Sequence, residues 1–346
     1  MVARTRRWGA AAVLIAAVAM SVGPAMAQDP RIIGGPIRGS MVLGNLQSTR
    51  AMGMGGASIA LEGPRSFNPA GLGWVENYDI EVTYTGTQAG HGPDTRYYKT
   101  EITIPVPMVN GAVQLTGTAI SSHTDDSRMG TNTHIWGREF GFAFGTALTD
   151  RISIGGAGFP SDPSEIRTTV ATPGGPMTLK GRAQSQVGSL RAGTLVRLIT
   201  EDDDTVIPGS LNVGAMYTHI IDEWKTRGLP AGSDDDDTAY INVGSVAAAY
   251  EPCKHAALLF DYEFGRITGV TIPPNVDLIR FGTELRPFDW FQIRFGSNDS
   301  RFTTGMGISC PHGWQLDYAY VDGGFEDAMS AFGHATVHSV SLSKSF

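Results

Sequence analysis

Cysteine, basic charge and long apolar runs are all scarce in this chain, and each scarcity removes a class of protein. Two cysteines, Cys253 and Cys310, cannot build a disulfide scaffold. Lys and Arg total 26 against 34 Asp and Glu, a formal net charge of −8. That balance argues against nucleic acid as a partner, because phosphate binding needs a basic surface. Past Ala27 no apolar run approaches the ~20 residues of a membrane helix. Catalytic and metal-ligand patterns are missing too: the 8 histidines stand apart without H-E-x-x-H spacing, and no G-x-S-x-G elbow occurs. No enzyme activity, no metal site and no cofactor are expected.

What is present begins with Arg4, Arg6 and Arg7, an uncharged apolar run from Gly9 to about Gly23, and Ala25-Met26-Ala27. This is the layout of a secretory signal peptide, with cleavage expected after Ala27. The mature chain would hold 319 residues (346 − 27) and lose three arginines, moving the net charge to −11.

From Tyr78 onward the pattern has period two. In "LLFDYEFG" Leu258, Phe260, Tyr262 and Phe264 share one face, and Asp261 and Glu263 the other. "RFGTELR", "WFQIRF" and "WQLDYAY" repeat the arrangement, with Arg280, Glu284, Arg286, Arg294 and Asp317 on the charged face. A soluble sandwich also alternates, so strand number and connections have to decide. Fourteen strands are expected, at about 78–86, 97–107, 111–121, 135–148, 151–159, 185–198, 210–221, 238–250, 255–266, 276–286, 290–297, 301–309, 312–321 and 334–346. Short turns such as "MVNG", "LTDR", "EPCK" and "CPHG" alternate with long polar stretches at 122–134, 160–184, 222–237 and 322–333. That asymmetry is typical of a bacterial outer-membrane barrel, with short turns on the periplasmic side. Two connections fit less well: 199–209 is long for an inner turn, and 298–300 is short for an outer loop. The fold class is therefore all-β, a transmembrane antiparallel barrel of about 14 strands (residues 78–346) preceded by a hatch or plug segment (28–77).

Two acidic runs, Asp234 to Asp237 and Glu201 to Asp204, lack the D-x-D-x-D-G spacing of a calcium loop and read as solvated. Cys253 and Cys310 fall in turns separated by four strands of wall, on the order of 20 Å. A disulfide needs Cα atoms within about 7 Å, so both thiols are expected to be free.

The hatch contains "RAMGMGGASIALEGPRSFNPAGLGW", Arg50 to Trp74. It lacks the spacing and the lysine of a phosphate-binding loop. Asn68 is a strong helix cap and Pro69 suits a first helical position, so Asn68-Pro69-Ala70-Gly71 starts a short helical turn. Gly53, Gly55 and Gly56 permit close passage of backbone beside backbone. Arg50 to Ala57 followed by Asn68 to Leu72 resembles the N-terminal signature of the FadL-type outer-membrane superfamily, most of all its PorV/PorQ-like branch. Glu62 and Phe67 are what remain here of the acidic residues and aromatic pair usual in that signature. The resemblance implies a hatch plugging a fourteen-stranded monomeric barrel in the bacterial outer membrane, in contact with its lipid. It implies passive uptake of hydrophobic small molecules such as long-chain fatty acids, leaving through the barrel wall. The alternative it implies is a PorV-like component of a secretion system that binds exported protein cargo. Residues suited to a greasy ligand are Met52, Met54, Ile59, Leu61, Phe67 and Trp74, which suit hatch-to-wall packing equally. Arg280 and Arg294 are the candidates to meet a ligand carboxylate, or else belong to a solvated ladder lining the lumen.

Overall fold

The computed structural model describes residues 47–89, 94–126, 131–159, 164–172, 175–201, 203, 207–227, 236–268, 275–298, 301–322 and 335–346. Its strands are β1 (Asp79–Ala89), β2 (Asp94–Val106), β3 (Gly111–Asp126), β4 (Thr131–Ala147), β5 (Ile152–Phe159), β6 (Ser164–Thr172), β7 (Gly175–Ile199) and β8 (Ser210–Arg227). They continue with β9 (Asp236–Cys253), β10 (Ala256–Thr268), β11 (Asn275–Phe288), β12 (Phe291–Asn298), β13 (Arg301–Cys310), β14 (Trp314–Val321) and β15 (Ala335–Ser345). Each pairs antiparallel with its neighbours, and β1 closes on β15 from Asp79↔Ser345 to Ala89↔Ala335. β5 and β6 both lie between β4 and β7, as lower and upper halves of one stave. The fifteen segments thus make a closed barrel of 14 staves, the number expected, and a closed ring leaves no unpaired edge.

Alternation gives the wall its two faces. In β1 Asp79, Glu81, Thr83, Thr85 and Thr87 point inward and are buried, while Ile80, Val82 and Tyr84 point outward and are exposed. An apolar outside around a polar inside is the reverse of a soluble sandwich and suits a lipid surround. At the short-turn end Tyr78, Phe288, Trp290, Trp314 and Phe346 are all exposed, with Phe288 stacked on Trp290 at 5.6 Å. Lys344, which breaks the apolar parity of the last strand, rests its ammonium over the Trp314 and Phe346 rings at 5.7 and 5.1 Å. Such a lysine keeps its charge at the interface while its stem lies on the apolar belt.

Three stretches expected to be loops are partly strand. β3 runs to Asp126 and β4 starts at Thr131; β8 runs to Arg227 and β9 starts at Asp236; and 160–184 contains β6 and the first part of β7. These strand ends are rich in Asp, Thr, Ser and Arg, so in sequence they look like loop. Asp236 and Asp237 accordingly belong to β9, whereas Asp234 and Asp235 lie outside the described residues. The connections at 199–209 and between Asn298 and Arg301 keep the lengths that fitted poorly. Cys253 and Cys310 end β9 and β13 as free thiols. Residues 1–46, with the expected signal peptide and the start of the expected hatch, lie outside the described residues.

Candidate functional site

The lumen is crossed by residues 47–78, an inner segment built from two small capped turns. Helix α1 (Thr49–Gly53) is capped by Ser48, whose Oγ accepts from the Ala51 N–H at 3.2 Å. It ends where Gly55 and Gly56 take positive φ of 70° and 82°, returning the Gly56 N–H to the Ala51 carbonyl at 2.8 Å. A 3₁₀ turn covers Pro69–Trp74, with Asn68 Oδ1 accepting from the Ala70 N–H at 3.0 Å.

The first half of the segment meets charge. Arg50 forks onto Glu284 with both contacts at 2.9 Å, and Glu284 also receives Arg294 at 2.7 Å and Arg286 at 2.8 Å. Arg294 continues to Asp317 at 2.6 Å. Asp261 accepts the backbone N–H groups of Ser58 and Ile59 at 2.8 and 3.1 Å, and Thr303 Oγ1 accepts from the Gly55 N–H at 2.7 Å. The charged part extends to Arg65, which crosses to Glu81 (3.0 Å), Gln315 (2.7 Å) and Ser343.

The stretch from Phe67 to Trp74 is held by neutral groups and by rings. Asn68 Nδ2 donates to the carbonyls of Ile59 and Thr194 at 3.1 and 2.9 Å, and Ser153 Oγ donates to the Ala70 carbonyl at 2.7 Å. Arg191 lies over the Phe67 ring at 3.8 Å and the Phe159 ring at 4.7 Å, and Arg197 lies over Trp74 at 3.9 Å. Arg197 also forks onto a half-buried Glu62, which Asn212 supports at 3.0 Å.

Close approach of backbone to wall explains a feature the sequence reading missed. Gly145, Gly155, Gly193, Gly214, Gly282, Gly296 and Gly305 all sit at inward positions of the strands, under the inner segment. A Cβ on Gly193 would stand 1.9 Å from Asn68 Oδ1, and one on Gly296 would stand 2.2 Å from the Gly55 nitrogen. The wall therefore offers a bare track on which the segment's main chain lies. The signal was in plain view, since each glycine interrupts the inward row of an alternating strand.

The expected ligand residues separate into groups. Met54, Ile59 and Leu61 are buried in one cluster with Leu195, Met216, Ala247, Ala249, Ala257 and Leu259, and Met52 is buried beside them in the chain. These serve packing. Arg280 and Arg294 are 1% and 0% exposed, and their partners are the protein's own carboxylates, Glu263 for Arg280 and Glu284 with Asp317 for Arg294. The expected solvated ladder is thus a dry ionic network, covered by the inner segment. Of the hatch motif, Arg50, Gly53, Gly55, Gly56, Asn68, Pro69, Ala70 and Gly71 all contact the wall or shape the two turns. Phe67 and Trp74 remain only partly buried.

Phe67 borders a cavity of about 30 Å³, lined also by Ser66, Pro69, Leu72, Lys99, Glu101, Gln114, Thr116, Ala143, Ala157, Phe159 and Arg191. A water needs roughly 10–15 Å³ and a benzene ring about 150 Å³. In this arrangement the lumen beside Phe67 has room for a water molecule and not for a benzene ring.

No protein-family model matches the chain, and no curated protein matches it by sequence. Solved structures of the same fold do exist. The toluene transporter TbuX of Ralstonia pickettii aligns with TM-score 0.55 at 10% identity, over 88% of this chain and 100% of its own. The CymD monoaromatic hydrocarbon channel gives 0.55 at 13% identity, over 88% and 98%. A FadL homologue of Pseudomonas aeruginosa gives 0.55 at 12%, over 86% and 98%. The folds similar to this one thus include a toluene transporter and a monoaromatic hydrocarbon channel.

Proposed function

We propose that the protein is a monomeric, non-enzymatic outer-membrane channel for passive uptake of hydrophobic small molecules, long-chain fatty acids among them. Export with cleavage after Ala27 and a hatch covering residues 28–77 belong to this reading. The observation that carries it is the occupied lumen: an inner segment seated on a glycine track leaves about 30 Å³ beside Phe67, so passage requires that segment to move. The stretch from Phe67 to Trp74 is the part that moves, because the neutral hydrogen bonds and ring contacts holding it are weaker than the ion pairs holding Arg50 and Arg65. Displacing Phe67 from Arg191 joins the cavity to the space the ring leaves, between Phe159, Leu72 and Ala157. Ligand then leaves sideways through the wall instead of crossing the polar lumen. Lys99, paired with Glu101 at 2.9 Å, and Arg191 are the cations that line the cavity; Arg280 and Arg294 lie outside it, bonded to Glu263 and to Glu284 with Asp317. The resemblances to a toluene transporter, a monoaromatic hydrocarbon channel and a FadL homologue support this class of cargo.

Uptake of labelled oleate and toluene into proteoliposomes tests the reading, comparing the intact chain with one lacking residues 50–74. Saturable uptake of either compound by the intact chain supports it. No uptake of either, with specific retention of a secreted protein at the surface, would favour the PorV-like carrier that the spacing of Arg50–Ala57 and Asn68–Leu72 suggests.

A further inference from the structure

Outside the lumen, the lipid-facing surface of β2, β3 and β4 carries an arrangement that uptake does not use. Arg96 on β2 and Arg138 on β4 both point outward and are exposed. Arg96 lies ten residues above Val106 at the short-turn end of its strand, and Arg138 nine above Ala147. At ~3.3 Å per residue and a tilt near 40°, that is about 25 Å above the lower aromatic belt, the height of the apolar band of such barrels. Each arginine also stands one outward step beyond an exposed ring: Arg96 beyond Tyr98 (51% exposed) and Arg138 beyond Phe140 (59% exposed).

Between them runs the outer face of β3, where the side chains are small. Ala119 is paired with Tyr98 on one side and Arg138 on the other, Ser121 is paired with Arg96, and Gly117 is paired with Phe140. A Cβ on Gly117 would meet no atom within 4 Å. β2 and β4 are two strand spacings apart, roughly 10 Å, so the rings of Tyr98 and Phe140 wall an open alley that ends at two guanidinium groups. The β14–β15 face presents Tyr318, Tyr320, His338 and Asp322 instead.

We propose that this face binds one phosphate-bearing glycolipid of the outer leaflet, an acyl chain lying along Gly117 and Ala119 and a phosphate held by Arg96 and Arg138. Guanidinium groups fork onto phosphate oxygens; rings at the membrane boundary flank acyl chains; and positive charge at the edge of the band is the complement of an anionic headgroup. The site rests on the barrel's placement in a bilayer and is independent of uptake.

Native mass spectrometry of the purified mature chain, titrated with bisphosphorylated lipid A, tests it. The intact chain binds the lipid, and Arg96→Gln with Arg138→Gln weakens binding about tenfold or more. Dephosphorylated lipid A binds the intact chain as weakly as the phosphorylated form binds that variant, millimolar inorganic phosphate fails to displace the lipid, and Gly117→Leu weakens binding by blocking the alley. Equal affinity of the double Gln variant and the intact chain overturns the proposal. So does binding that ignores the phosphate, binding that inorganic phosphate abolishes, or binding that Gly117→Leu leaves intact. Heat-modifiable gel mobility reports barrel folding; should the Gln pair misfold, Arg96→Lys with Arg138→Lys retains charge without the fork and is expected to bind with intermediate affinity. Full affinity in that Lys pair would equally count against a forked phosphate site.

Discussion

Residues 47–65 and residues 67–75 share one lumen, yet the first stretch is fastened by ion pairs and a dry apolar cluster, whereas the second hangs on an amide, a hydroxyl and two rings under arginines. Removing one member of a buried ion pair costs about 3–5 kcal/mol, because the partner is left charged and dry. A neutral hydrogen bond contributes about 0.5–1.5 kcal/mol and an exposed cation–π contact about 0.5–1 kcal/mol. One chain thus carries a fixed end and a releasable end, and the boundary falls between Arg65 and Phe67.

The sharpest blow to this asymmetry is Glu284→Gln, which takes the shared carboxylate from Arg50, Arg286 and Arg294 at once. A loss of about 3–5 kcal/mol is expected, seen as a lower midpoint of thermal unfolding in detergent and as new trypsin cleavage at Arg50. An unchanged midpoint would mean that the first half is not anchored by charge. Next in size is Gly193→Ala. Its methyl group would displace Asn68 from the wall at a cost of about 1–3 kcal/mol, and planar-bilayer recordings should show higher ion conductance as the second half lifts. Gly188→Ala, whose methyl would meet nothing within 4 Å, should record like the parent barrel. If both alanine variants behave alike, the glycine track is not a seat.

Asn68→Ala removes a cap and the link to Thr194, a loss of about 0.5–2 kcal/mol. Combined with Gly193→Ala it should add little, since both act on one contact. Phe67→Ala, at about 0.5–1 kcal/mol, barely touches stability but enlarges the cavity, so toluene should enter proteoliposomes faster. Slower entry would make Phe67 part of the ligand's path instead of its stopper. The smallest effect lies outside both halves, at Asp203 in the β7–β8 turn. The Thr200 N–H and the Arg151 guanidinium hold its carboxyl below the usual carboxylate range. A depressed value means that its stabilisation is present above the unfolded carboxylate range and is lost as pH falls through the folded value. Asp203→Asn should therefore lower the unfolding midpoint slightly at pH 7 and not at all in strong acid.

Much of this barrel was legible as alternation, because lipid on one side and polar groups on the other stamp period two on every residue in the membrane. The signal failed at β6 and the first part of β7, where Thr, Ser, Gln and Gly are frequent and the stretch looks like loop. The charged inner face was legible from the parity of Asp261, Arg280, Glu284 and Arg294. That these charges would be dry was not, since the group covering them, Arg50, is 234 positions away from Glu284. Nor was the seat of the inner segment: Gly193 and Gly296 act through a side chain they lack, and an absence carries no hydropathy.

A wall that meets its stopper through bare main chain sets few demands on the stopper's side chains. The track reads the path of the segment and little of its composition, so positions such as Phe67 can be exchanged to suit a different cargo while closure is kept. Fit and selectivity become separate inheritances, one written in the strands and the other in the segment they hold.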